Sequence, residues 1–109
     1  MVKLDIKPLS VNKAWRGRRF KTDDYKAYEK AMMLLLPRVE IIPDGRLKLE
    51  IEYGFSSRSS DIDNPCKLFI DCLQKKYGFN DKMIYELRVK KTIVKKGKEF
   101  IEWNVKAME

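Results

Sequence analysis

The chain has 109 residues, 44% of them hydrophobic and 37% charged, with 24 Lys and Arg against 16 Asp and Glu for a formal charge of +8. That length supports one core and a single domain over residues 1–109, the composition excludes a disordered chain, and the absence of histidine excludes His-based triads, a His general base and the usual zinc sites. With no run of about 18 apolar residues and no signal-peptide pattern in MVKLDIKP, the expectation is a cytoplasmic protein without membrane contact or a small-molecule cofactor, whose positive field draws a polyanion, nucleic acid first.

Val2, Leu4 and Ile6 alternate with Lys3, Asp5 and Lys7, which predicts a half-buried strand ended by Pro8. SVNKAWRGRRFKT has no sustained period and reads as a loop. Thr22 is placed to cap a helix that carries Asp23 and Asp24 in its first turn and sets Tyr25, Tyr28, Met32 and Leu35 on one face; Pro37 and the PDG at 43–45 close it. Leu47, Leu49, Ile51 and Tyr53 alternate with charged residues, so 46–54 is a strand, followed by the polar loop SSRSS. Asn64 as N-cap, Pro65 at the first helical position and Gly78 as C-cap define a helix over 65–77. Tyr85, Leu87, Val89 and Ile93 predict a further strand, and KKGKE turns it into a last one carrying Ile101, Trp103 and Val105 as a hairpin. The order β-α-β-α-β-β makes this an α/β (α+β) domain with two helices over a small mixed sheet. Cys66 and Cys72 lie about 9 Å apart along one helix, out of disulfide reach, and read as reduced packing residues.

Along the second helix Cys66, Phe69, Ile70, Leu73 and Tyr77 form the stripe to be buried, leaving Lys67, Asp71, Gln74 and Lys75 on the other side. Asp61 and Asp63 precede this helix and gather with Lys67 at its start, where free backbone N–H groups suit a phosphate. Two carboxylates so close in a basic chain invite a cation between them. Mg²⁺ takes hard oxygen ligands, commonly one or two carboxylates plus phosphate, and such an ion activates water and steadies the charge built up in phosphodiester cleavage. The same Asp-x-Asp-Asn-Pro pattern also ends a loop and caps a helix with no metal at all. Asp71 is expected to pair with Lys75, and Asn80 with Asp81 to form a turn.

Lys13, Arg16, Arg18, Arg19 and Lys21 occur without an acidic residue among them, interleaved with Trp15 and Phe20. Such a segment contacts successive phosphates while an aromatic stacks on a base; otherwise it is a solvated loop whose aromatics anchor it to the core. Lys90, Lys91, Lys95, Lys96 and Lys98 surround the last two strands, where lysines commonly protect edges from aggregation.

PLSVNKAWRGRRFKTDDYKAYEK and DIDNPCKLFIDCLQKKYGFND together resemble the RusA family of Holliday junction resolvases, most specifically in D-x-D-N-x-x-K-x-x-x-D-x-L followed by an acidic pair. The resemblance implies a small, dimeric, metal-dependent endodeoxyribonuclease of bacterial, phage or prophage origin. Its substrate would be a four-way DNA junction cut by paired nicks, in DNA recombination and repair, leaving a 5′-phosphate and a 3′-hydroxyl. It further implies that Asp61, Asp63 and Asp81 bind the divalent ion, Mg²⁺ or Mn²⁺, that Lys67 is needed for cleavage, that Asp71 supports them, and that Lys13, Trp15, Arg16, Arg18, Arg19 and Lys21 contact DNA. One position departs: the pair commonly Asp-Asp is Asn80-Asp81 here.

A helix over 65–77 is about 20 Å long and the three residues from Gly78 to Asp81 return only about 10 Å, so Asp81 falls short of Asp61 and Asp63 in its own chain. A two-fold dimer with antiparallel helices would bring it to the other subunit's helix start, and a shorter or bent helix would also serve, within one chain. Two readings compete with the nuclease: a non-catalytic basic nucleic-acid-binding module, and a dimeric interaction domain.

Overall fold

The computed structural model of the chain describes residues 1–17, 20–38 and 42–108. Its strands are β1 (Val2–Leu4), β2 (Trp15–Arg16), β3 (Phe20–Lys21), β4 (Leu47–Phe55), β5 (Ile84–Ile93) and β6 (Phe100–Ala107), and its helices are α1 (Asp23–Leu35) and α2 (Cys66–Tyr77). The main sheet has the order β1-β6-β4-β5, with β4 and β5 parallel and the other neighbours antiparallel. The mixed sheet and two helices are the α+β architecture that the alternation patterns predict.

Alternation along β4 divides the sheet into two faces. Leu47, Leu49, Ile51, Tyr53 and Phe55 are buried, and register aligns them with Ile101 and Trp103 of β6 and, through β6, with Leu4 of β1. Both helices lie on this side. Phe69 of α2 stands edge-on to Tyr53 and Trp103, at 6.5 and 6.3 Å between ring centroids, and Tyr77 packs against Trp103 at 5.8 Å. The end of α2 is tied to the end of α1: Lys76 Nζ donates to the Met33 carbonyl at 2.8 Å and Tyr77 Oη to that of Pro37 at 2.9 Å. The opposite face carries charges that pair across strands, among them Lys106 with Glu50 at 3.1 Å and Lys48 with Glu86 at 3.8 Å, and the Thr92 hydroxyl donates to Glu52 at 2.6 Å. Gly54 lies on that face opposite Phe100, whose ring occupies the space a Cβ would need.

Several expectations are corrected. β1 ends at Leu4, and Ile6 packs beside the core from an irregular segment. The basic segment is not a featureless loop, because Trp15 pairs with Lys21 and Arg16 with Phe20 in a two-stranded ribbon. Leu36, not Leu35, is the buried residue at the end of α1, since the chain leaves the helix there and turns the Leu36 side chain inward. On α2 the fully buried positions are Leu68, Phe69, Cys72 and Leu73, with Cys66, Ile70 and Tyr77 at the margin of the core. The last two strands are not hairpin partners: β5 and β6 flank β4 on opposite sides. KKGKE therefore crosses the end of β4 instead of making a tight turn.

Candidate active site

Thr22 lies at the junction between the ribbon and α1 and bonds to both sides of it. Thr22 caps α1 by accepting from the Tyr25 N–H at 3.2 Å, donates its hydroxyl to the Lys13 carbonyl at 2.6 Å, and closes the ribbon with its own N–H on the Ala14 carbonyl at 2.9 Å. On this base the basic residues have different fates. Lys13 is exposed and borders a cleft. Arg16 is exposed at 3.9 Å from Asp23. Lys21 is engaged, its ammonium 2.8 Å from Glu29 and 5.1 Å from the Tyr25 ring. Trp15 leans edge-on against Tyr25 at 5.4 Å, whereas Phe20 is 73% exposed, so only one of the two aromatics is anchored. Arg18 and Arg19 lie outside the described residues.

The acidic loop leads from β4 into α2. Asp61 and Asp63 are both exposed, and no described Lys or Arg forms an ion pair with either. Asn64 was expected to cap the helix, but its side-chain amide donates to Asp61 Oδ2 at 3.2 Å while its carbonyl accepts from the Val11 N–H at 3.1 Å. Pro65 is the N-cap instead, and its apolar ring has no atom that could accept from the helix N–H groups. The start of α2 is thus free of a side-chain cap. Beside it opens a cleft of about 780 Å³ bordered by Asn12, Lys13, Tyr28, Ser57, Asp61 and Asn64. The buried Tyr28 hydroxyl has no hydrogen-bond partner among the described residues.

Lys67 does not turn toward Asp61 and Asp63. Its ammonium sits 3.0 Å from Asp71 Oδ1 and 3.6 Å from Asp81 Oδ2. The hydrogen bond to Asp71, then the charges of Asp71 and Asp81, hold the lysine above its ordinary range. This corrects the pairing of Asp71 with Lys75. Gln74, taken from the sequence as part of a solvated side, joins the same group: its amide donates to Asp71 at 3.3 Å and its oxygen accepts from the Asp81 N–H at 2.9 Å. Its spacing of three from Asp71 on one helix face was the available signal. Asn80 caps the short turn Asp81–Met83 by accepting from the Lys82 N–H at 3.0 Å, so the residue that departs from the acidic pair shapes the turn that presents Asp81.

Among the described residues no three acidic or thiol groups are close enough together to hold a metal. Asp61 is bonded to Asn64 and Asp81 stands beside Lys67, so the three predicted ligands are not gathered in one cluster among the described residues. The donor chemistry nevertheless fits a hard divalent cation: the two loop carboxylates are exposed and have no competing ammonium among the described residues, and Asp81 supplies a third oxygen donor. Cys66 and Cys72 are free; burial pushes the Cys66 thiol up, and its Sγ donates toward the Ile62 carbonyl at 3.8 Å. No described helix is long and apolar enough to cross a membrane.

In a comparison with known families, the model of Endodeoxyribonuclease RusA matches residues 6–102. A search of curated proteins finds none that matches the chain.

Proposed function

Since the chain belongs to the RusA family of endodeoxyribonucleases, which are Holliday junction resolvases, we propose that it resolves four-way DNA junctions by paired hydrolytic nicks supported by Mg²⁺ or Mn²⁺. The observation that carries this is the pair Asp61 and Asp63: two exposed carboxylates, neither paired with a cation among the described residues, in a chain of charge +8 and set beside a helix start without a side-chain cap. Leaving two such charges together repels unless a cation joins them, and their oxygens are the donors that a hard divalent ion takes.

Asp61, Asp63 and Asp81 are the residues to hold the ion. When bound, a divalent ion polarises the phosphodiester and makes water a competent nucleophile near neutral pH. The first turn of α2 offers N–H groups to the phosphate. Lys67, held by Asp71 and Asp81, supplies a positive charge for the cleaved phosphate. Lys13, Arg16, Arg18 and Arg19 contact the DNA while Trp15 and Lys21 hold the ribbon against α1, and exposed Phe20 gives the ribbon a ring on which an unpaired base can stack. Two chains about a two-fold axis suit a junction that is itself close to two-fold, with Asp81 of one subunit completing the partner's site.

The test is a labelled synthetic four-way junction incubated with Mg²⁺ or with chelator. Paired nicks should appear only with Mg²⁺, and Asp63→Asn should lower their rate by roughly two orders of magnitude or more while binding is retained or tightened, because a negative charge facing phosphates is lost. Binding without metal-dependent nicks would favour the non-catalytic module. Undiminished nicking by Asp63→Asn would remove that residue from the site.

A further inference from the structure

We propose that Lys91 is a positioning residue for cleavage, its ammonium clamping the Arg58 and Ser60 carbonyls and so fixing the loop that presents Asp61 and Asp63. This rests on the reading of those two aspartates as ligands of the divalent ion.

The parallel register places Lys91 beside Tyr53, which points it to the helix-covered face of the sheet. Most positions there are apolar. Lys90, Lys95, Lys96 and Lys98 are exposed, as lysines that merely blunt a sheet edge should be, but Lys91 is half-buried. Its Nζ donates to the Arg58 carbonyl at 2.8 Å and, by a short bond, to the Ser60 carbonyl, and it stands 5.9 Å over the Phe55 ring. Two of three ammonium donors are therefore committed to the chain immediately before Asp61.

Within residues 57–60 the other hydrogen bonds are local. The Ser57 and Ser59 hydroxyls are 2.8 Å apart, the Ser59 N–H donates to Ser57 Oγ at 3.3 Å, and the Ser60 N–H donates to the Ser57 carbonyl at 3.3 Å. These bonds fold the turn but do not attach it to the sheet. Lys91 does so across 33 and 31 residues of sequence. A charge-assisted donor shared by two carbonyls holds them as a tethered cation would. Reactive geometry is sensitive to displacements of about 1 Å. Without the clamp, the loop must be ordered when the ion binds, so the demand for metal rises and the contacts of the basic ribbon stay as they were.

The experiment compares wild type, Lys91→Met, Lys91→Arg and Asp63→Asn on a four-way junction, reading the Mg²⁺ concentration for half-maximal nicking and the junction Kd in chelator. Lys91→Met keeps a long apolar stem over Phe55 and removes the ammonium. It should raise the half-activating Mg²⁺ concentration about tenfold or more with Kd in chelator unchanged within about twofold, and Lys91→Arg, which keeps the charge, should show a smaller rise. A wild-type Mg²⁺ requirement in Lys91→Met overturns the proposal, as does a rise matched by an equal loss of binding in chelator. If Lys91→Met does not fold, Lys91→Arg decides alone, and a wild-type requirement there overturns it. Should Asp63→Asn nick like wild type, the metal assignment fails and Lys91's role with it; if Asp63→Asn is inactive while Lys91→Met needs no extra Mg²⁺, only the role of Lys91 fails.

Discussion

Lys67 shares one ammonium between Asp71 and Asp81 at a largely exposed position. Pairs of this kind add little to stability, so their effect is on placement: Gln74 and Asp71 hold the lysine and the turn at Asp81 in one group. Asp71 has a lysine four residues away in each direction, Lys67 and Lys75, and helix spacing alone favours the acid-before-base order that pairs it with Lys75. The structure selects Lys67 because Asp81, ten residues further on, comes back to the same side of the helix. Buried residues respond to pH in another way. Burial first, then the charges of Glu29 and Asp71, pushes the Cys72 thiol up to about 12. An unfolded chain ionises its thiols near about pH 8.5. Between those values the unfolded state releases a proton that the folded state keeps, so stability falls as pH rises, by at most about 1.4 kcal/mol per pH unit from this one group. Urea unfolding followed from about pH 8 to 10 should show a steeper loss for wild type than for Cys72→Ala; parallel slopes would contradict the assignment.

At the scale of elements, the ribbon of β2 and β3 separates anchoring from contact. Trp15 leans on Tyr25 and Lys21 is spent on Glu29, while Phe20 is turned out to solvent. Phe20→Ala should lower junction affinity by about 1–3 kcal/mol with little change in thermal stability, and replacing Arg18 and Arg19 together by Ala should flatten the dependence of affinity on salt. Fluorescence anisotropy across a salt series checks both; an unchanged slope would leave the two arginines without phosphate contacts. The ribbon was not legible in the sequence because strands of two residues are too short to show a period. The long strands and both helices were, since alternation in β4 and β6 and the Thr22 and Gly78 caps are local signals. The relation between β5 and β6 was not. A short basic turn between two strands usually makes a hairpin, and only the bonding of both to β4 shows otherwise. Asn64 and Lys91 misled for a similar reason, as each has its partner in a loop rather than in its own element.

For the molecule as a whole, charge is unevenly divided between the faces. On the open side of the sheet Lys3, Lys48, Arg88, Lys90 and Lys106 stand among Glu50, Glu52, Glu86 and Glu102, near balance in a chain of charge +8. The excess of positive charge therefore lies with the helices, the ribbon and the loops. That Asp61, Asp63 and Asp81 form no common cluster among the described residues of one chain bears on how two chains would share the work. In a dimer with crossed sites, mixing Asp63→Asn with Asp81→Asn subunits leaves one site with every ligand intact, so the mixture should nick one strand although neither variant does alone. An inactive mixture, with mixed dimers verified by native mass spectrometry, would place all three ligands in the same chain.

The position of β6 has a further consequence. It lies between β1 and β4, so the first strand has no bonded place in the sheet until residues 100–107 arrive. During synthesis, the loop with Asp61 and the turn with Asp81 emerge well before the scaffold that orders them is complete. The N-terminal strand and the rest of the sheet are thus joined last, through a strand made at the far end of the sequence.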